Sequence, residues 1–456
     1  MSGTDFGAGS SDLIASSARF TSRAREQPET FEIKVMPRRR VLLLSTTTGY
    51  QLRAFTDAAD QLGVELLYAT DRCDTLDDPW RDRAVPVRFH DERRSLDAIL
   101  REARRSPLDG VIAVGDRPTV LAARVAEALD LPGNSPDAAA ASANKRESRA
   151  RFAAAGLPAP WYFTLPTRAS IPEAAADPRV RYPCVLKPLG LSGSRGVIRA
   201  DSPEEFAAAF ARIRALLNRL DVRAARTGLE DVLLVEGFVG GAEVAVEGVL
   251  TGGRIQIFGM FDKPDPLDGP FFEETIYVTP TALDVSTRAA VADTVARAAR
   301  SLGLWHGPVH AECRLDGVRI TPLEVAARPI GGLCSRALRF DAALSLEDVL
   351  LRHALGENVA GYRQAPDASA VMMIPIPRRG HLKRVEGEAA ARRVEGVVDV
   401  RITARKDQLL EPLPEAGSYL GFIFAGGRTG AQAVASLRQA HERLEIVIER
   451  EIAVRA

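Results

Sequence analysis

The most restrictive feature of the sequence is a pair of largely apolar segments that each carry one carboxylate, His310-Ala311-Glu312-Cys313 and Pro322-Leu323-Glu324-Val325-Ala326. Short apolar runs of this kind read as strands buried in a sheet. A lone carboxylate is costly in such a setting, so two on adjacent strands call for a cation. With no Cys or His cluster beside them, the acids suit Mg²⁺, a hard ion that also takes phosphate oxygens. The turn signal Asp316-Gly317 separates the strands. A two-residue Asp-Gly turn would put Glu312 and Glu324 on opposite faces. The expectation is therefore an odd-length loop, Leu315 to Gly317, or a bulge near Pro322, which cannot donate to the ladder. The plainer alternative pairs the two acids with Arg314 and Arg319.

A chain of 456 residues suggests about three domains at roughly 100–200 residues each. Lys plus Arg and Asp plus Glu balance at 60 each, so the charge points to neither nucleic acid nor an anionic membrane as partner. No apolar run approaches a membrane span. Cys73, Cys184, Cys313 and Cys334 lie far apart with no Cys-x-x-Cys pair. That excludes a zinc site of that type and a disulfide framework, and a cytoplasmic setting is expected. Residues 1–36 have no apolar signal core and are expected to form a disordered N-terminal extension.

Residues 37–141 read as a small α/β domain. Its strands are Val41–Leu44, Val64–Tyr68 and Val111–Val114, with helices at 95–105 and 118–130 and a Ser/Thr/Gly loop at 45–49 that lacks dinucleotide-binding glycine spacing. Residues 142–365 mix strands and helices, starting with a helix at 142–155. The strand Glu243–Leu250 alternates as if half buried, and a helix is expected at 287–302. Residues 366–456 read as an α+β cap with strands near 370–376, 397–403 and 419–424 and a helix at 429–442.

Three further segments carry chemistry. Strand Pro183–Lys187 runs into a loop, Leu189 to Val197, rich in glycine and serine. Ser192, Gly193, Ser194 and Gly196 let backbone N–H groups approach phosphate, and Lys187 adds a positive charge. This is not a P-loop, because no Gly-Lys-Ser/Thr leads into a helix. Next, strand Leu233–Glu236 delivers Glu236, and Phe238 and Val239 link it to Glu243. The segment offers apolar walls and backbone bonds for a purine, and an acid for ribose hydroxyls. Finally, Arg328 and Gly331-Gly332 follow Glu324. Arginine presents a fixed fork of donors for carboxylate or phosphate.

Taken in order, these segments resemble the ATP-grasp superfamily over roughly residues 40–365. The resemblance implies a small α/β domain, two lobes gripping ATP, and a cap. It implies ATP contacts from Lys145, Lys187, the 190–196 loop, Glu236, Phe238, Val239 and Glu243, and Mg²⁺, or Mn²⁺ in its place, on Glu312 and Glu324. Many members place an Asn two residues after the second acid; here Ala326 stands there, which leaves two glutamates, phosphate and water. The strings 324–332 and 260–274 are similar to the L-amino-acid ligase and carnosine synthase branch. That implies small-molecule acid and amine substrates, with Glu273 or Glu274 on an α-ammonium, Lys263 at a phosphate, and Arg328 with Gly331 and Gly332 at the reacting carboxylate. The implied reaction makes an amide through an acyl phosphate, and Lys187, Glu324 and Arg328 are its catalytic candidates. Dimers are common in this fold. Other members activate bicarbonate or purine precursors, and a regulatory ATP binder without turnover is the non-enzyme alternative.

Overall fold

The computed structural model describes residues 38–46, 51–71 and 84–450. The expected N-terminal extension, Cys73 and residues 47–49 of the first loop lie outside the described residues.

Four parallel strands form the first sheet, in the order Val85–Pro86, Glu65–Thr70, Arg40–Ser45, Gly110–Val114. Every residue of Arg40–Ser45 is buried, as a strand covered on both faces requires. Val41 and Leu43 pack in one apolar cluster with Phe55, while Leu42 and Leu44 pack in another with Ile99, Leu121 and Val125. Each such side chain contributes roughly 1.5–3 kcal/mol on burial.

A helix expected at 142–155 is instead two, Pro136–Ser142 and Lys145–Ala154. The Asn144 side chain accepts from the N–H groups of Arg146 and Glu147, which caps a new helix. That break sets Lys145 at a helix start. The next sheet is antiparallel: Tyr162–Pro166, Val232–Gly237, Cys184–Pro188, Ile198–Ala200. Helix Pro203–Leu217 covers it through Phe206, Phe210 and Ile213.

The largest sheet has eight antiparallel strands in the order Arg319–Ala326, Gly307–Asp316, Ala242–Thr251, Arg254–Asp262, Ile276–Thr279, Ala368–Ile374, Gly421–Gly427, Val397–Ile402. Residue 366 thus falls between strands of one continuous sheet. The half-buried reading of the Glu243 strand is corrected: Ala242–Thr251 is central and buried along all but its two end residues. The pattern misled because Glu243 and Glu247 lie inside, each against a cationic or imidazole partner. A small sheet of Leu409–Leu410, Gly380–Glu386 and Glu445–Glu449 completes the C-terminal region. Cys184, Cys313 and Cys334 are free and buried, as small apolar thiols are. Among the described residues no helix is long and apolar enough to cross a membrane.

Candidate active site

The two acid-bearing strands pair as a hairpin. Asp316 lies opposite Arg319, so the connection is the two residues Gly317 and Val318, and the odd-length loop is not formed. Cys313 pairs with Pro322, one extra residue intervenes, and Glu312 then faces Glu324 directly. The bulge beside Pro322 therefore aligns the two acids. Arg314 does not neutralise either one. It donates to Glu243 Oε2 at 2.8 Å and to the carbonyls of Gly241 and Leu267.

All contacts to Glu312 fall on Oε1: Lys263 Nζ at 2.8 Å, the Tyr277 hydroxyl at 3.5 Å and His310 Nε2 at 3.7 Å. Its Oε2 has no partner among the described residues. Burial opposes the charge of Glu312, but Lys263 and His310 hold its carboxyl well below the usual range. Glu324 is held only loosely, with Lys145 Nζ at 3.8 Å and Arg328 Nη2 at 3.6 Å. Two opposed carboxylates with free oxygens fit a hard divalent cation.

Lys145 Nζ donates to the Leu191 carbonyl at 2.7 Å. Lys187 pairs with Glu236. Arg149, fully buried, donates to Glu236 Oε2 at 2.8 Å and Oε1 at 3.3 Å, and to the carbonyl of the bulge residue Leu323 at 2.7 Å. Burial works against Glu236, yet Arg149 and Lys187 hold its carboxyl down at about 2. Phe238 and Phe272 stack at 6.3 Å, and Val185 and Leu267 extend this apolar cluster. Such a slot suits a flat heteroaromatic ring.

Lys263 departs from its expected place. Its Nζ lies 2.6 Å from Glu243, 2.6 Å from Glu274 and 2.8 Å from Glu312. These acids offer oxygens within 4.8 Å of one another, the one group of three possible metal donors among the described residues. The ammonium, with three N–H donors, already fills that position and does not line the cavity. Gly196 also stays out of the cavity: its N–H donates to the Pro414 carbonyl at 2.8 Å, and a Cβ there would sit 2.8 Å from Pro188.

The other expected residues share one cavity of about 320 Å³: Lys145, Lys187, Ser192, Gly193, Ser194, Glu236, Phe238, Val239, Glu243, Glu273, Glu274, Glu312, Glu324, Arg328, Gly331 and Gly332. Glu273 has no ion-pair or hydrogen-bond partner among the described residues, and burial raises its carboxyl. Glu274 is pushed up to about 7, by burial and then by Glu312 and Glu243, against the pull of Lys263. Cys334, Met373, Ile376, Leu413, Ala416 and Tyr419 add apolar walls to the cavity.

Four residues escape the sequence reading. Asp116 accepts from Arg328 Nε at 2.8 Å and lines the cavity. It follows strand Gly110–Val114, at the carboxyl end of the parallel sheet where strand order reverses, a position that draws ligands in such sheets. Burial opposes its ionisation, but Arg328 and Lys145 keep its carboxyl low. His310 Nδ1 lies 2.5 Å from Glu247, directly opposite it in the sheet. Burial disfavours the imidazolium, yet Glu247 and Glu312 raise it to about 9. Polar residues inside apolar strands were the available signal for this pair. Arg149, on a helix far away in sequence, gave none.

Residues 180–337 match the ATP-grasp domain family, residues 56–133 the ATP-grasp N-terminal domain family, and residues 372–449 the L-amino acid ligase C-terminal domain 2 family. The crystal structure of an L-amino acid ligase from Bacillus licheniformis superposes with a TM-score of 0.76 at 25% identity, covering 91% of this chain and 100% of that one. An uncharacterized protein, y4rH, of Sinorhizobium fredii is 28% identical over 418 residues, 89% of this chain and 83% of its own length. Carnosine synthase 1 of Homo sapiens is 29% identical over 259 residues, 55% of this chain but only 31% of the relative. The chain thus carries an ATP-grasp N-terminal domain, an ATP-grasp domain and the C-terminal domain 2 of the L-amino acid ligases.

Proposed function

We propose that the chain is an ATP- and Mg²⁺-dependent carboxylate–amine ligase that joins an amino acid to an amine, giving a dipeptide-type amide, ADP and phosphate. One observation carries this reading. A single cavity holds two lysines, the opposed Glu312 and Glu324, an aromatic slot, Arg328, an unpartnered Glu273 and apolar walls. Lys145 and Lys187 hold phosphate oxygens. Mg²⁺ bound by Glu312 and Glu324 would neutralise phosphate charge as a Lewis acid. Arg328, anchored by Asp116, holds the acid so that its oxygen attacks the γ-phosphorus and the bond to ADP breaks. The amine nitrogen then attacks the acyl carbon, the bond to the phosphate oxygen breaks, and the nitrogen loses a proton. Arg328 and the amides near Gly331-Gly332 stabilise the developing negative charge. Glu273 accepts the α-ammonium of an amino-acid substrate.

The test is incubation with ATP, Mg²⁺ and pools of amino acids, reading phosphate release beside product masses, with Glu324→Ala and Arg328→Ala as controls. A new mass equal to two substrates less water, formed with ADP only when both are present, supports the ligase. Turnover without a new amide points to bicarbonate or another acid. Nucleotide binding without turnover across broad acid pools points to a regulatory protein.

A further inference from the structure

Between Leu409–Leu410 and Gly421–Gly427 the C-terminal region sends a strap, Glu411–Tyr419, across to the phosphate loop. Two acids fasten it to the lobe that carries this loop. Glu411 accepts from Arg219 at 2.7 Å, and Glu415 accepts from Arg212 at 2.5 and 2.8 Å. Two further bonds reach the loop itself: Gly196 N–H donates to the Pro414 carbonyl at 2.8 Å, and Arg195 Nε to the Glu415 carbonyl at 3.1 Å. Arg195 and Gly196 continue directly from Ser192–Ser194, which line the cavity. The strap lines the same cavity through Pro412, Leu413, Ala416, Gly417, Ser418 and Tyr419, and Cys334, Met373 and Ile376 add to its apolar lining. Neither Glu411 nor Glu415 enters the cavity, so the strap's contribution to the wall is uncharged. The ion pairs that fasten it are partly exposed, and pairs of that kind are individually weak and open readily.

We propose that this strap selects the acid and reports its presence to the phosphate loop. An acid with an apolar, uncharged side chain packs against Leu413, Ala416 and Tyr419 and seats the strap. The seated strap then holds Arg195 and Gly196, so the loop stays closed over the phosphates while the acid is in place. ATP cleavage is thereby tied to an acid able to accept the phosphoryl group. This coupling rests on the ligase reading; the fastening does not.

The test uses the full chain and the double variant Glu411→Ala/Glu415→Ala. Without substrates, trypsin should cut after Arg195 roughly tenfold faster in the variant, the combined effect of two exposed ion pairs. An unchanged cutting rate overturns the fastening. With apolar acids, phosphate released per amide formed should be near one in the wild type and rise about threefold or more in the variant, with a higher KM for the acid. A ratio that stays at one while only kcat falls overturns the coupling. The charge-swapped pair Arg212→Glu/Glu415→Arg should restore both readings; failure of the swap to restore either also counts against the strap. No amide from the wild type defeats the ligase reading and the coupling with it, and the trypsin result still decides the fastening.

Discussion

In the part of the cavity proposed to hold the nucleotide, Glu236 and Glu243 already meet opposite charges. Glu236 is held by Arg149 and Lys187, and Glu243 by Arg314 and Lys263. Glu273 meets none, and Glu274 must share the Lys263 ammonium with Glu243 and Glu312, so that burial and those two acids raise its carboxyl to about 7. The nucleotide region is preorganised, so a ligand there meets groups already fixed in place. Around Glu273 a counter-charge is missing, which an ammonium group would supply.

The sharpest way to break this comparison is at Arg149. Arg149→Met leaves Glu236 and Lys187 buried without their third partner and should cost about 3–5 kcal/mol of stability in urea denaturation. A loss below about 1 kcal/mol would mean that the nucleotide region does not depend on its paired charges. Glu324→Ala should lower kcat/KM for ADP release by roughly 10²–10³-fold while the fold stays intact by circular dichroism. Retained activity would show that Glu312 alone suffices for the metal. Glu273→Gln addresses the other region. The KM of the amino-acid substrate should rise roughly tenfold or more, as expected for a lost charge-assisted hydrogen bond, with the KM for ATP unchanged. An equal rise in both constants would erase the distinction between the two regions.

A further effect is expected away from the cavity. His353 is buried beside His306 and bonded to Thr251 at 2.8 Å. Burial, and then the neighbouring imidazole, push its pKa from 6.5 to about 4. The folded state therefore takes up the proton later than the unfolded chain. The stability this provides is fully present above pH 6.5 and is lost as pH falls towards 4. His353→Gln should flatten that decline by about 2 kcal/mol, read from denaturant midpoints at pH 7 and pH 4.5. An unchanged slope would show that the decline arises elsewhere, at the carboxylates.

What the sequence revealed followed from locality. Glu312, Glu324 and Pro322 lie within one hairpin, so parity alone required an odd loop or a bulge, and the bulge is what forms. The Lys187 strand and the glycine loop were likewise contiguous. Asp116, Arg149 and Lys263 act across 212, up to 174 and up to 49 residues of sequence, and no period or spacing records such contacts. Lys263 was also hidden by chemistry: a lysine near a phosphate site reads as a phosphate ligand until three carboxylates are seen around its nitrogen. Asn144 shows the reverse case, since a good N-cap in mid-helix was a local signal that one continuous helix was wrong.

The eight-stranded sheet also limits how such a chain can be recombined. The register Ile276↔Met372 to Thr279↔Ser369 joins the segment matching the ATP-grasp domain to the strand that leads into the C-terminal match, through one short seam. A cut after residue 365 would strip Ile276–Thr279 of that partner and leave a buried apolar strand as an open edge, a template for aggregation. Chimeras that borrow a relative's C-terminal region must therefore preserve those four residue pairings, and the exchangeable unit is the strand with its neighbour rather than the domain alone.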